Sequence, residues 1–517
     1  MVIEQLYKII FMTRLELPLS VRVAIVIVYL FTAWNSQGYY QADEHYQIVE
    51  FAGLKTGATT AADLPWEYDQ KMRPALQPAI CYIVLSLCRV AGITDPYSEA
   101  LVLRLLSGLL AIVIIYYFIR SSLPLIREDR RKYYILLSYF LWFLPFLNVR
   151  FSSENWSGLF FLAAVAAIQQ NHKKEMAGFI GAGVFAGLSF LFRFQSAFLE
   201  AGLFLWLIFV AKEKWGNLLI FGISWLFVLQ IGVLIDSWYY GEYVLSAWNY
   251  FDQNVIRGVA ESFGTSPWYF LPLYVIILPG IPIGLLIALA FLLLLIKKPR
   301  NMLVWITLPF LLAHAISPHK EGRFLFPLVN LIPLLLMTAF GELESLPLFT
   351  RNRKALVYPG IFLLCYLLLV NATGLVCAGA KAAANGRMVI SQYIHEKFAN
   401  REIRLICGSH CSPYNPWPDL PEHFYEEKSL GEIPVYSLYD VSRYLPPADS
   451  LPAGKALTLL VMNRSTLPDP DHLTWAAPGI PRLTLLKESI PEWEQWIDHH
   501  CYFFTNSEDA LLLFSVK

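Results

Sequence analysis

The chain has 517 residues and no net formal charge, with 56% hydrophobic and 15% charged residues. Soluble domains carry about 25% charged residues, so one large water-soluble core is excluded. The neutral balance, without a basic tract interleaved with aromatics, also excludes nucleic acid as a partner.

The hydrophobic excess lies in runs such as VRVAIVIVYLFTAW, EALVLRLLSGLLAIVIIYYFI and IPIGLLIALAFLLLLI. A bilayer core of about 30 Å needs roughly 20 apolar residues in a helix. These runs do not alternate with polar faces, so the expected class is an all-α polytopic membrane protein. The first run follows Lys8, Arg14 and Arg22 and has no small-residue cleavage site after it, which predicts a retained helix over 19–37 rather than a removed signal.

That helix leaves the lipid at YYQADEHYQIVEFAG (39–53), where Asp43 and Glu44 stand side by side. In an α-helix Asp43, Gln47 and Glu50 share a face at i, i+4 and i+7. A solvated helix start accounts for acids here, because the macrodipole favours them. The flanking aromatics favour a second account, in which a partly desolvated carboxylate at the membrane surface acts as a general base.

Two apolar segments follow, 74–91 and 99–119. Cytoplasmic loops are enriched in Lys and Arg. The clusters RSSLPLIREDRRK (120–132), NHKKE (171–175), KEK (212–214), KKPR (297–300) and TRNRK (350–354) all fall on one side if 74–91 lies on the outer surface. Pro74, Gln77, Pro78, Ser86 and Arg89 suit such an interfacial helix. Segments 177–193 and 197–211 then form a hairpin with RFQ at its tip. Segments 217–235 and 268–296 enclose an outer loop, and 302–317 and 322–340 enclose SPHKEGR. About eleven spans result. They divide the chain into a transmembrane domain, 1–376, and an extracytoplasmic C-terminal domain of mixed α/β kind, 377–517.

Several polar groups of unusual type share the outer side. Arg150 and Glu154, in VRFSSENWS, are spaced to pair as an interfacial anchor or to serve as a second charged group facing the Asp43 loop. The stretch from 236 to 268 is dense in aromatics, amides and acids, including Asp236, Tyr240, Asn249 and Trp268. It suits a sugar platform or an interfacial aromatic belt. His319, Lys320 and Arg323 crowd one short loop with Glu321, where the charge rule disfavours cations. Arg and Lys together make a phosphate clamp, for a lipid phosphate or for generic anionic lipid.

Of seven cysteines, Cys81, Cys88 and Cys365 sit in apolar stretches, where Cys behaves as a small hydrophobe. Cys377, Cys407, Cys411 and Cys501 lie in or at the edge of the polar C-terminal region. CGSHC fits no zinc signature, so a disulfide or free thiols suit it better than a metal, with the pairing open. A transporter would place ionisable residues near the bilayer midplane and repeat its halves, whereas the charges here sit at span ends.

The motifs, taken in order over about 40–335, resemble the GT-C class of membrane glycosyltransferases. Within it they resemble the mannosyltransferases that build glycosylphosphatidylinositol anchors and lipid-linked oligosaccharides. QADE (41–44) resembles that family's His-Pro-Asp-Glu motif, with Gln-Ala in place of His-Pro. MRPALQP resembles its Arg-Ser-x-x-x-Pro segment, and RFSSEN its Arg-Thr-x-Ser-Asn segment. The 236–268 stretch resembles its Asp-Ser-x-x-Tyr-Gly … Asn-Phe … Tyr-Gly-Thr-x-Pro-Trp signature, and HKEGRFLFPL its His-Lys-Glu-x-Arg-Phe block. CGSHCSPY resembles a Cys-His-x-x-Pro-Tyr segment of the branch that adds the third anchor mannose.

The resemblance implies inverting transfer of mannose or another hexose from a polyprenyl-phosphate donor to a glycan or glycolipid acceptor, at the luminal or periplasmic face. Nucleotide, metal and cofactor are not expected. Another polyprenyl-linked glycan enzyme, a ligase or polymerase, differs from this only in its acceptor. Asp43 would be the base and Glu44 its support. His319, Lys320, Arg323 and Arg150 would hold the donor phosphate. Gln47, Glu50, Glu154, Asp236, Tyr240, Asn249 and Trp268 would line the sugar and acceptor sites. The membrane is that of the endoplasmic reticulum or of a bacterium.

Overall fold

The computed structural model describes residues 17–171, 175–347, 353–384, 386–398, 401–408, 411–414, 422–426, 430–435, 456–464, 474–475, 483–491, 495–496 and 510–516. Lys8, Arg14, His410, Cys501 and parts of two basic clusters (172–174 and 350–352) lie outside them. The chain forms two compact units: Met1–Trp34 with Trp66–Ile80 and Val102–Ala380, and Asn35–Pro65 with Cys81–Leu101 and Lys381–Lys517.

The first unit is helical. Four helices among the described residues are long and apolar enough to cross a membrane: Pro96–Leu125, Trp215–Tyr240, Gly322–Glu344 and Val357–Ala380. Ile281–Lys297 and Met302–Ile316 pass the same test together, although they bend by 116° at their junction. The segments expected as a hairpin at 177–211 form the helices Met176–Phe192 and Ala197–Phe209, but the first packs on Ser153–Gln170 and Trp215–Tyr240 and the second on Met302–Ile316. The continuous segment expected at 268–296 does not form. Pro279 lacks an amide donor and Gly280 adopts φ +81°, so the chain breaks into Phe270–Ile277 and Ile281–Lys297.

A second break, between Arg131–Phe140 and Phe143–Asn148, shows how such a helix survives in lipid. Backbone groups freed at membrane depth must find protein partners. Asn371 supplies both: its Oδ1 accepts from the Trp142 N–H at 2.9 Å, and its Nδ2 donates to the Phe140 carbonyl at 2.9 Å. Gly158, in the helix Ser153–Gln170, allows the 322–331 segment to approach. A Cβ there would stand 2.7 Å from Pro327 Cα.

The second unit carries the expected small sheet. Its strands among the described residues are β1 (Glu402–Gly408), β2 (Leu430–Val435), β3 (Ala456–Asn463), β4 (Thr474–Trp475), β5 (Leu483–Glu488) and β6 (Leu511–Val516), in the order β2-β1-β3-β6-β5-β4. β1 pairs in parallel with β2 and β3, and the remaining pairs are antiparallel. Alternation along each strand makes two cores. Ile403, Leu405, Leu459, Val461, Leu511 and Leu513 pack with Ile390 and Ile394 of the helix Arg387–Phe398. Ile406, Leu460, Leu483, Leu512 and Phe514 form the opposite core. Burial of both faces explains why β3 and β6 read as nearly unbroken apolar runs.

This unit also claims the stretch after the first helix. The Gln37 carbonyl accepts from the Ala383 and Ala384 amides at 2.8 and 3.3 Å. Gly38 follows at φ +73°, and a Cβ on it would stand 2.3 Å from Met388 Cγ. Only glycine meets both demands.

Candidate active site

Within the second unit, the adjacent carboxylates occupy one short turn, Ala42–Glu44. Asp43 is half-buried and Glu44 buried. Glu44 folds back, and its Oε2 accepts from the Tyr40 N–H at 3.2 Å while its own amide bonds to the Gln41 carbonyl. It braces the turn that presents its neighbour, much as the acid of a capping box does.

The next residues, His45–Glu50, wind as a π-helical turn rather than continuing the α-helix. The i→i+5 winding brings His45 and Glu50 onto one line, with Nε2 and Oε1 2.8 Å apart and both residues buried. The shared face expected for Asp43, Gln47 and Glu50 is therefore split. Gln47 stays half-buried, while Glu50 turns inward, accepting also from Thr59 Oγ1 at 2.5 Å and from the Phe424 N–H at 3.0 Å. The ring of His45 stacks between Tyr39 and Tyr425, with centroids at 5.2 and 5.5 Å. Glu422 completes the cluster, accepting from the hydroxyls of Tyr39 and, at 3.4 Å, Tyr46.

The titration of these groups follows from their surroundings. Burial opposes the charged form of His45, but the Glu50 hydrogen bond and the field of Glu422 outweigh it and hold the pKa above the ordinary value. Burial also opposes ionisation of Glu50, and there His45, Thr59 and the Phe424 amide win, so its pKa is lowered. At Glu422 burial wins against His45 and Tyr39 and pushes the carboxyl up to about 7. Cation partners thus decide which acid is charged.

Within the first unit, the cationic loop and the RFSSEN segment meet. Arg323 Nη2 donates to Glu321 Oε1 at 2.7 Å, and its Nε lies 2.7 Å from Oε2. Its Nη1 is 3.9 Å from Glu154 Oε1. Glu154 is buried and pairs at 2.8 Å with Arg193, which also donates to Ser153 Oγ at 3.1 Å. The local i, i+4 spacing pointed to Arg150 for Glu154, and the ion pair goes to Arg193 instead. Arg150 is itself buried and lies over the Phe146 ring at 6.0 Å. Arg193 was legible only as the lone charge in RFQ between two apolar helices. Lys320 Nζ donates to the Ser266 and Ser317 carbonyls at 2.7 and 2.5 Å, and His319 bridges the Gly264 carbonyl and Glu321 at 3.0 and 3.1 Å.

The residues expected in the sugar platform do different work in this state. Asp236 Oδ1 accepts from the Ala75 N–H at 2.7 Å, and its other oxygen from Ser246. Tyr240 donates to the Arg73 carbonyl at 2.9 Å and Asn249 to the Lys71 carbonyl at 3.2 Å. Together they grip alternate residues of the segment 71–75, which starts at Lys71 with φ +50°. Arg73 pairs with Glu67 at 3.0 Å and lies over Tyr250. Trp268 is largely exposed.

This is the GT-C fold of membrane glycosyltransferases. The chain superposes on the structure of ArnT from Cupriavidus metallidurans, solved bound to undecaprenyl phosphate, with a TM-score of 0.52 over 95% of this chain and 97% of that one, at 12% identity. Residues 21–414 match the Alg9-like mannosyltransferase family, and the chain belongs to that family. It is 28% identical over 420 residues to GPI mannosyltransferase 3 of Yarrowia lipolytica, covering 76% of this chain and 74% of the relative. It is 34% identical over 144 residues to Alpha-1,2-mannosyltransferase ALG9 of Saccharomyces cerevisiae, 27% of this chain and 24% of the relative. The protein is an integral membrane glycosyltransferase.

Proposed function

We propose that the protein transfers mannose, with inversion, from a polyprenyl-phosphate sugar to a glycan or glycolipid hydroxyl on the luminal or periplasmic face. The acceptor oxygen attacks the anomeric carbon while the bond from that carbon to the phosphate oxygen breaks. Asp43 takes the hydroxyl proton, and polyprenyl phosphate departs with the bonding pair. Positioned base catalysis contributes about 10²–10⁴-fold.

The observation that carries this reading is the ion-pair cluster of the buried Arg193 and Glu154 with the partly buried Arg323 and Glu321. Arg323 already presents its guanidinium edge to one carboxylate. A phosphate offers the same pair of oxygens and more charge, so it competes for that edge. Lys320, in the same loop, and Arg150 add positive charge as the leaving group forms, and His319 adds a ring N–H donor. The undecaprenyl phosphate in the ArnT structure supports a lipid-phosphate donor, and the names of the relatives support mannose and a glycolipid acceptor. Gln47 is assigned to the acceptor. The eleven-span topology, with 74–91 on the outer surface, belongs to the same reading.

The test is transfer by the purified protein in nanodiscs, offered labelled polyprenyl-phosphate mannose, polyprenyl-phosphate glucose and a nucleotide sugar, with a panel of acceptors. Arg323→Ala should cost about ten- to a hundred-fold in donor use, and Arg323→Lys should recover only part. Use of the nucleotide sugar, or donor use unchanged in both variants, would sink the proposal. For topology, a cysteine at Glu128, whose side chain is 87% exposed, should resist an impermeant reagent applied from outside.

A further inference from the structure

The turn that carries Asp43 is held by residues far downstream in sequence. Four contacts of the 422–426 segment bracket it. Glu422 accepts from Tyr39 before Asp43 and from Tyr46 after it. Tyr425 stacks on His45, and the Phe424 amide donates to Glu50. Behind the turn, residues 37 and 38 are pinned to Ala383, Ala384 and Met388.

The choice of an acid at position 422 needs a reason. A carboxylate is costly to bury, and an apolar residue or an amide would join two segments more cheaply. The geometry around Glu422 discriminates between its two forms. One oxygen, Oε1, receives both phenol hydroxyls, while Oε2 is buried with no hydrogen-bond partner among the described residues. A charged carboxylate spreads its charge over both oxygens, and an undonated one in a low dielectric is expensive. A neutral acid keeps the acceptor at Oε1 and leaves an uncharged hydroxyl at Oε2, which costs less to bury unpaired than a charged oxygen does.

We propose that Glu422 is a positioning residue for the transfer reaction: it docks residues 422–426 on residues 39–50 and so fixes the turn that presents Asp43. It does this as the neutral acid. The proposal rests on Asp43 being the base. The titratable and charged groups that face Glu422 are Tyr39, Tyr46, His45, Glu50 and Arg387. His45 and Arg387 favour its ionised form, and burial with Glu50 opposes it, leaving the proton to be lost near pH 7. The sign follows from linkage. A carboxyl whose pKa is raised when docked favours docking while protonated, so docking weakens as pH rises through about 7.

The experiment compares full-length wild type, Glu422→Gln, Glu422→Ala and Asp43→Asn in nanodiscs, by kcat from about pH 6 to about pH 8.5 and by hydrogen exchange of the peptide covering 39–50, corrected for intrinsic exchange. Wild type should lose kcat and exchange protection together as pH rises through about 7 and level off above it. Glu422→Gln, neutral at every pH and able to accept the same phenols, should keep both. Glu422→Ala should lose roughly tenfold in kcat across the range, with protection lost and donor KM unchanged. A decline in Glu422→Gln parallel to wild type, or full protection in Glu422→Ala, overturns the proposal. Asp43→Asn separates the two claims. If it turns over normally the base assignment fails, and exchange at 39–50 alone then judges Glu422.

Discussion

The two polar clusters bury charge by opposite means. Around Arg193, Glu154 and Arg323, guanidinium groups that cannot lose their protons are matched against carboxylates. Around His45, Glu50 and Glu422, one acid is matched by an imidazole whose charged form its neighbours favour, and the other receives two phenol hydroxyls within the fields of His45 and Arg387. The first cluster keeps its positive charges fixed. The second has a proton to give up near neutrality. Under the proposed reaction, a fixed cationic cluster suits the leaving phosphate, and a titratable one suits the side where protons move.

Breaking the fixed cluster should have the largest effect. Glu154→Ala leaves Arg193 buried beside no matching charge and should destabilise the fold by about 3–5 kcal/mol, read by thermal unfolding in nanodiscs. Replacing the pair together, with Arg193→Met and Glu154→Leu, should recover most of that stability but none of the donor use. Recovery of donor use would show that the cluster is scaffold only.

The titratable cluster should instead show itself as a slope. Because the Glu422 pKa is raised from 4.5 to about 7, its contribution to stability is fully present below about 4.5 and is lost as pH rises through 7. A shift of that size is worth up to about 3 kcal/mol, partly offset by Glu50, whose lowered pKa works in the other direction. Melting temperatures across that window should fall less steeply in Glu422→Gln than in wild type. Identical slopes would erase the contrast between the clusters.

Asp236 is an intermediate case, a buried carboxylate met by a backbone amide and a hydroxyl. Asp236→Ala strands the Ala75 amide and should cost about 1–3 kcal/mol. The smallest effect should come from Tyr240→Phe, which removes one hydrogen bond to the Arg73 carbonyl, about 0.5–1.5 kcal/mol. If Tyr240→Phe alters acceptor choice more than stability, Tyr240 touches sugar as well as backbone.

The apolar helices were legible in the sequence because lipid imposes length and hydropathy on each segment separately. The C-terminal region was legible only as a mixed α/β domain, and its strands LTLLVMN and LLLFSV carry continuous apolar runs because both faces are buried. The carboxylate pair and the cationic loop stood out as charges where a membrane chain avoids them. What misled was local spacing. Arg150 and Glu154 are four apart, but the helix begins only at Ser153 after an extended Ser152, so Arg150 lies outside it and Arg193 and Arg323 reach Glu154 instead. Likewise an α-helical period put Glu50 beside Asp43, and a π-helical turn took it away.

By itself the sequence determined the membrane-spanning character, the family and the kinds of chemical group available, because each of these depends on composition or on contiguous motifs. Tertiary structure decided which groups meet. The grip of Asp236, Tyr240 and Asn249 on 71–75, the partner of Glu154 and the docking of Glu422 on Tyr39 and Tyr46 all join residues widely separated in the chain. Whether a buried charge is tolerated depends on partners that only folding supplies, and no local periodicity encodes them.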